Sequence, residues 1–256
     1  MYIIVFSFLG SIASLIGGVL LLFKEKFALK ISHFLSAFAG GALLGTAFFD
    51  LLPEAQEAAG ESGVNIFLWT LIGILGFFLL ERFVHHHDSP LSGANHLNSN
   101  GKKSIIPLII IGDSVHNFID GVAMAGSCLI SIPVGIVTSI AVAAHEIPQE
   151  IGDFGLMINK GVKRKNILLI NLFSGLAAMV GAVLTYMAKD SIEGLLPAVL
   201  GLTSGFFIYI AASTLIPEIH SRENQKIAFW ETVMLLLGVL TIWIVITSLE
   251  NFGLAH

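Results

Sequence analysis

The sequence predicts an all-α polytopic membrane protein with eight transmembrane helices. Three observations lead there. Hydrophobic residues make up 55% of the 256-residue chain and charged ones 12%, with a mean hydropathy of +0.87; a soluble domain averages roughly 45–50% apolar and about 25% charged. Eight apolar stretches each approach the ~20 residues that a helix needs to cross a bilayer. Lys and Arg gather in alternate loops.

The stretches are Tyr2–Phe23, Ile31–Leu52, Ile66–Val84, Ile105–Leu129, Ile132–Ile158, Ile167–Ala188, Leu195–Pro217 and Ala228–Leu249. The first has no basic region before it and reads as a retained span, not a cleaved leader. Lys24, Lys26 and Lys30 follow span 1, and Arg82, Lys102 and Lys103 flank the loop between spans 3 and 4. Lys160, Lys163, Arg164 and Lys165 follow span 5, and Arg222 and Lys226 follow span 7. Of 13 basic residues only Lys189 falls on the other side. The basic side is expected to be cytoplasmic, which puts both termini outside.

The remaining connections are short, so residues 1–256 read as one transmembrane domain carrying a His-containing cytoplasmic loop at 85–104. A formal net charge of -5 without a basic stripe gives no reason to expect nucleic acid as a partner. Cys128 is the single cysteine, which excludes an intrachain disulfide and a several-cysteine zinc site.

A sparse internal repeat aligns Gly40–Ala55 (GGALLGTAFFDLLPEA) with Ser204–Ile219 (SGFFIYIAASTLIPEI). Span 2 and span 7 run in opposite directions. The copies therefore suggest an inverted repeat, spans 1–3 and 6–8 around central spans 4 and 5, a common transporter plan. Glu54 would stand at the outer mouth and Glu218 at the inner one.

Spans 4 and 5 interrupt the apolar pattern. Span 4 carries Asp113, His116, Asn117 and Asp120 near its middle; His116 and Asp120 are one turn apart on one face. In span 5 His145 and Gln149 repeat that spacing, beside a stripe of Glu146, Glu150 and Asp153. An ionised side chain at the bilayer centre costs on the order of 2.5–3.5 kcal/mol on insertion scales. No Lys or Arg lies between Lys103 and Lys160 to offset these groups. A bound or passing cation would. Imidazole with carboxylate and amide oxygen suits borderline divalent metals: zinc first, with iron, manganese and cadmium as alternatives. Pro148 removes a backbone bond inside span 5, and Gly121 and Gly152 allow close helix approach. The alternative is a polar network that only locks the two spans together.

His116-Asn117-Phe118-Ile119-Asp120-Gly121 resembles the span-4 motif of the ZIP (Zrt-, Irt-like protein) family of metal transporters. Ala144-His145-Glu146-Ile147-Pro148-Gln149-Glu150-Ile151-Gly152-Asp153 resembles the span-5 signature C-H-E-x-P-H-E-x-G-D of one of its subfamilies. The resemblance implies divalent-metal transport into the cytoplasm through a binuclear-type centre between spans 4 and 5. It implies a primary site of His116, Asp120, His145 and Gln149, with Asn117 and Glu146 in an adjoining site and Glu150 and Asp153 as ligands or supporting groups. It also implies an elevator-like motion of spans 1, 4, 5 and 6 against 2, 3, 7 and 8, and a homodimer. No catalytic cofactor is expected; Zn2+ or a similar divalent cation is the bound substrate, and the lipid bilayer is the surround. Gln149 stands where the signature has His, and Ala144 where it has Cys. Span 6 has Ala178 where some members supply a Glu, which weakens the second site.

Elsewhere Asp50, with Glu54 and Glu57, could draw cations to the outer mouth, and His33, Glu218 and His220 could receive them at the inner face. The His85–His87 run with Asp88 and His96 reads either as a metal-catching loop or as plain solvated chain. A metallohydrolase is the competing class, since His145-Glu146-Ile147-Pro148-Gln149 lacks only the second His of HExxH. A metal-sensing receptor would need a signalling domain or a long loop. Short loops suggest a bacterial plasma membrane.

Overall fold

The computed structural model describes residues 31–60, 63–86, 101–159, 161–217 and 224–251, with isolated helical positions between 16 and 27. All of its regular structure is helical. Helix α1 covers residues 31–46 and passes through a π-helical turn, Ala47–Leu51, into α2, Leu52–Ala59. Then come α3 (Ile66–His86), α4 (Gly101–Ile130), α5 (Ile132–Asn159) and α6 (Arg164–Met187). The short α7 (Lys189–Ile192) leads into α8 (Leu196–Ile210), a second π-helical turn (Ala211–Leu215), and finally α9 (Gln225–Asn251).

Four helical segments, Ile31–Ala59, Arg164–Met187, Lys189–Ser213 and Gln225–Leu249, are long and apolar enough to cross a membrane. Large apolar side chains face outward along them, among them Phe173, Leu184, Leu236, Leu240 and Trp243. Such a surface is stable against lipid and not against water. The chain is thus a polytopic integral membrane protein with at least four spans. Helices α4 and α5 are as long, with 30 and 28 residues, and polar side chains interrupt their apolar runs.

The second apolar stretch was expected to end at Leu52, before Pro53, but the helix runs on to Ala59 and stops at Gly60, whose φ is 45°. The π turn explains the continuation. Leu52 N–H bonds back to Ala47 O, five residues away, so the ladder is already widened where Pro53 lacks a donor. The same device recurs before Pro217, where Ile216 N–H reaches Ala211 O. The two π turns occupy matching positions in the Gly40–Ala55 and Ser204–Ile219 alignment. Pro148 likewise lies inside α5 without ending it.

Three helix pairs are held by reciprocal glycine contacts. A Cβ on Gly121 of α4 would strike the Ala178 backbone of α6, and one on Gly181 would strike the Phe118 carbonyl. Gly73 and Gly205 do the same for α3 and α8, and Gly41 and Gly238 for α1 and α9. Without a hydrophobic drive between helices in lipid, such close backbone approach supplies the packing. Helix α4 packs chiefly on α6 and α5, and α3 chiefly on α8.

Candidate metal centre

The α4–α5 connection is one residue, Ser131, whose hydroxyl accepts the Val134 N–H at 3.3 Å. So tight a turn makes the two helices antiparallel neighbours. His116 stands 15 residues before Ser131 and His145 stands 14 after it. At a 1.5 Å rise both residues lie about 21–23 Å from the turn, at one depth.

There His116, Asp120, His145 and Glu146 converge, all buried, with one ligand atom from each within 4.8 Å of every other. His116 Nε2 is 3.1 Å from His145 Nε2. It is 3.5 Å from both Asp120 Oδ2 and Glu146 Oε1. His145 Nε2 is 3.2 Å from Asp120 Oδ2 and 3.8 Å from Glu146 Oε1. A tetrahedral zinc ion with N and O ligands at about 2.0–2.1 Å sets them roughly 3.3 Å from one another. The five spacings above lie around that value.

The protons are arranged to match. His145 Nδ1 is 3.1 Å from the Ala141 carbonyl, one turn back on α5. That oxygen can only accept, so Nδ1 carries the proton and the Nε2 lone pair turns into the cluster. Among the described residues, Asp120 Oδ2 and both Glu146 oxygens are buried with no hydrogen bond of good geometry. Two imidazole nitrogens and two carboxylates thus face one another, and no Lys or Arg among the described residues pairs with them, which is the chemistry of a cation site. Aromatic rings wall it: Phe77 of α3 meets His116 edge-on at 5.5 Å, and Phe207 of α8 lies 6.1 Å from His145.

The other sequence candidates are distributed around this point. Asn117 is buried, and its Nδ2 donates to Asp113 Oδ1 at 3.0 Å and Asp113 O at 3.1 Å. Glu150 is buried one turn beyond Glu146, and Gln149 is half-buried one turn beyond His145. Asp50 is buried in the first π turn; with Glu54, Glu57, Ser131, Val134 and Val137 it lines a separate cavity of about 100 Å³ near the α4–α5 turn. His33 is half-buried early in α1, its ring 4.2 Å from that of Phe34. The Asp153 side chain, Glu218, His220 and the loop from His87 to His96 lie outside the described residues.

Among the buried polar residues that sequence reasoning passed over, three bear on the interior of the bundle. Asn171 and Ser174 of α6 are each 1% exposed, and so is Glu231 of α9. A carboxylate inside an apolar run was a visible signal for Glu231. For the α6 pair the signal was subtler: they share a face with Gly175, Ala178, Gly181 and Ala182, the stripe of small residues that packs on α4.

Fold and centre together define a multi-span membrane protein built around a buried two-histidine, two-carboxylate cation site. A sequence profile of the ZIP Zinc transporter family matches residues 1–107 and 98–246. The chain belongs to that family. It is 30% identical over 218 residues to "Zinc transporter ZIP13" of Pongo abelii, covering 80% of this chain and 64% of the relative. It is 31% identical over 261 residues to "Zinc transporter zipt-7.2" of Caenorhabditis elegans, covering 81% and 55%. The "Zinc transporter ZIP13 homolog" of Drosophila melanogaster is 25% identical over 307 residues, with 92% and 86% covered. The chain thus spans less than two thirds of the length of the first two.

Proposed function

We propose that the chain carries divalent metal cations across a membrane into the cytoplasm, zinc foremost, with iron, manganese and cadmium as competing cargo. The observation that carries this is the convergence of four buried ligand atoms within 4.8 Å of one another, with no Lys or Arg between Lys103 and Lys160. The names of the relatives support zinc. The metal is substrate, and no covalent step is required of the protein. A metallohydrolase of the HExxH kind needs both histidines on one helix; here the second imidazole comes from α4 and Glu146 faces the same point as the imidazoles.

Beyond the four converging residues we assign Asn117, Gln149 and Glu150 to the same centre as adjoining ligands, and Asp113 and Asp153 as supporting or pathway groups. Metal enters past Asp50 and Glu54 and leaves past Glu218, His220 and His33. The eight-span count, the basic side as cytoplasmic and both termini outside rest on the charge pattern. The π turns at aligned positions support the inverted repeat. So do the Gly41–Gly238 and Gly73–Gly205 contacts, which exchange under it because Gly41 aligns with Gly205. A bacterial plasma membrane rests on loop length alone, since the relatives named above are animal proteins. The homodimer and the role of the His85–His87 loop rest on resemblance and composition.

The test is uptake of zinc into vesicles containing the purified chain, with a variant in which His116 and His145 are both alanine. Uptake by the parent and none by the variant is expected. Equal uptake by both would refute the assignment.

A further inference from the structure

Helices α4 and α6 run side by side in register: Gly121 meets Ala178, and Ala125 clusters with Ala182. Continued toward the end bearing Lys163 and Arg164, the same register sets Ser174 level with Asn117 and Asn171 level with Ser114. The contacts agree, since the Ser174 hydroxyl lies within hydrogen-bonding reach of the Asp113 carboxylate. Asn171 follows on the same face, one turn further along.

Asn171 is 1% exposed, and neither its Oδ1 nor its Nδ2 has a hydrogen-bond partner among the described residues. Its neighbours are engaged elsewhere. The Ser174 hydroxyl donates to the backbone oxygen of Asn171 at 3.1 Å, leaving the amide side chain untouched. The Ser114 hydroxyl donates back to Ile110 O at 2.7 Å. A buried amide with both ends unused, on a helix face where an apolar side chain would carry no polar penalty, calls for a guest that uses both. A hydrated cation does: the amide oxygen can ligate it, and the amide N–H groups can donate to its water or to Asp113.

We propose that Asp113, Asn171 and Ser174 form a second cation station, one helical turn from the His116–His145 centre toward the basic end, that holds a hydrated divalent cation through oxygen atoms alone. Its donors are carboxylate, amide carbonyl and hydroxyl, the set that suits hard or partly hydrated cations and holds zinc less tightly than imidazole does. On the transport reading above, it takes over the ion as it leaves the imidazoles, so release proceeds by a weaker site in place of one large desolvated jump.

The test is binding of Mn2+ to the detergent-purified full chain, followed by the loss of its free-ion paramagnetic resonance signal. The parent should show two classes of site. Asn171→Leu, which removes an unused amide and needs no new partner, should abolish the weaker class and leave the tighter one. Asn171→Asp should keep the weaker class and tighten it. His116→Ala with His145→Ala should abolish only the tighter class. A parent with one class, or an Asn171→Leu protein with both classes unchanged, overturns the station. Two classes in a parent that moves no zinc into vesicles would overturn the transport reading and leave the station standing.

Discussion

The backbone oxygen of Ala141 lies 3.1 Å from His145 Nδ1 and so determines which ring nitrogen of His145 is free to meet a metal. The helix thereby supplies its own orienting group, one turn from the ligand, and the Nε2 atom is left facing His116, Asp120 and Glu146. Loss of an outer hydrogen bond of this kind typically weakens metal affinity about 10–100-fold. Loss of the ligand itself should exceed that. His145→Ala is therefore expected to lower zinc affinity by more than two orders of magnitude, as read by calorimetric titration of the purified protein. An affinity within threefold of the parent would take His145 out of the centre.

The α4–α6 seam makes a second prediction. A methyl group at Gly121 has no room beside the Ala178 backbone, so Gly121→Ala should destabilise the fold by about 1–3 kcal/mol, as overpacking does. At Gly76 the nearest atom to an added Cβ, on Phe206, is 4.0 Å away, and Gly76→Ala should be neutral or slightly stabilising. Thermal unfolding in detergent separates the two, and equal melting temperatures would contradict the packing described.

Gln149→His would place a second imidazole one turn from His145 on α5. It should raise affinity for zinc and cadmium relative to manganese, because imidazole favours the borderline metals. Competition curves that superimpose on those of the parent would remove Gln149 from the ligand set.

Asp50 lines a cavity separate from the centre, and its Oδ2 is buried without a donor among the described residues. Asp50→Asn keeps the volume and removes the charge. The expected result is a severalfold rise in the zinc concentration needed for half-maximal uptake, with equilibrium affinity at the centre unchanged. A change in equilibrium affinity with uptake unaltered would place Asp50 in the wrong role.

Membrane spans and the centre were legible in the sequence for one reason: lipid makes charge expensive. A run of about 20 apolar residues announces a span, and the polar groups of spans 4 and 5 stood out because nothing basic accompanied them. The motif put Gln149 in the primary site and Glu146 beside it, whereas Glu146 is the residue that converges with His116, Asp120 and His145. What the sequence hid is what lipid tolerates more cheaply. Asn171 and Ser174 are neutral and sit on a face of small residues, so no cost marked them. The continuation of the second span past Pro53 depended on a π turn, whose widened ladder has no residue signature of its own. The reciprocal glycines required knowing which helices are neighbours: Gly41 and Gly238 are far apart in the chain and in contact across α1 and α9.

Zinc K-edge absorption of the metal-loaded full chain tests the centre most directly. The four converging side chains predict a four-coordinate shell of nitrogen and oxygen at about 2.0–2.1 Å, with the outer scattering of two imidazoles that disappears when His116 and His145 are alanine. A six-coordinate, water-like shell without imidazole scattering in the parent would contradict it.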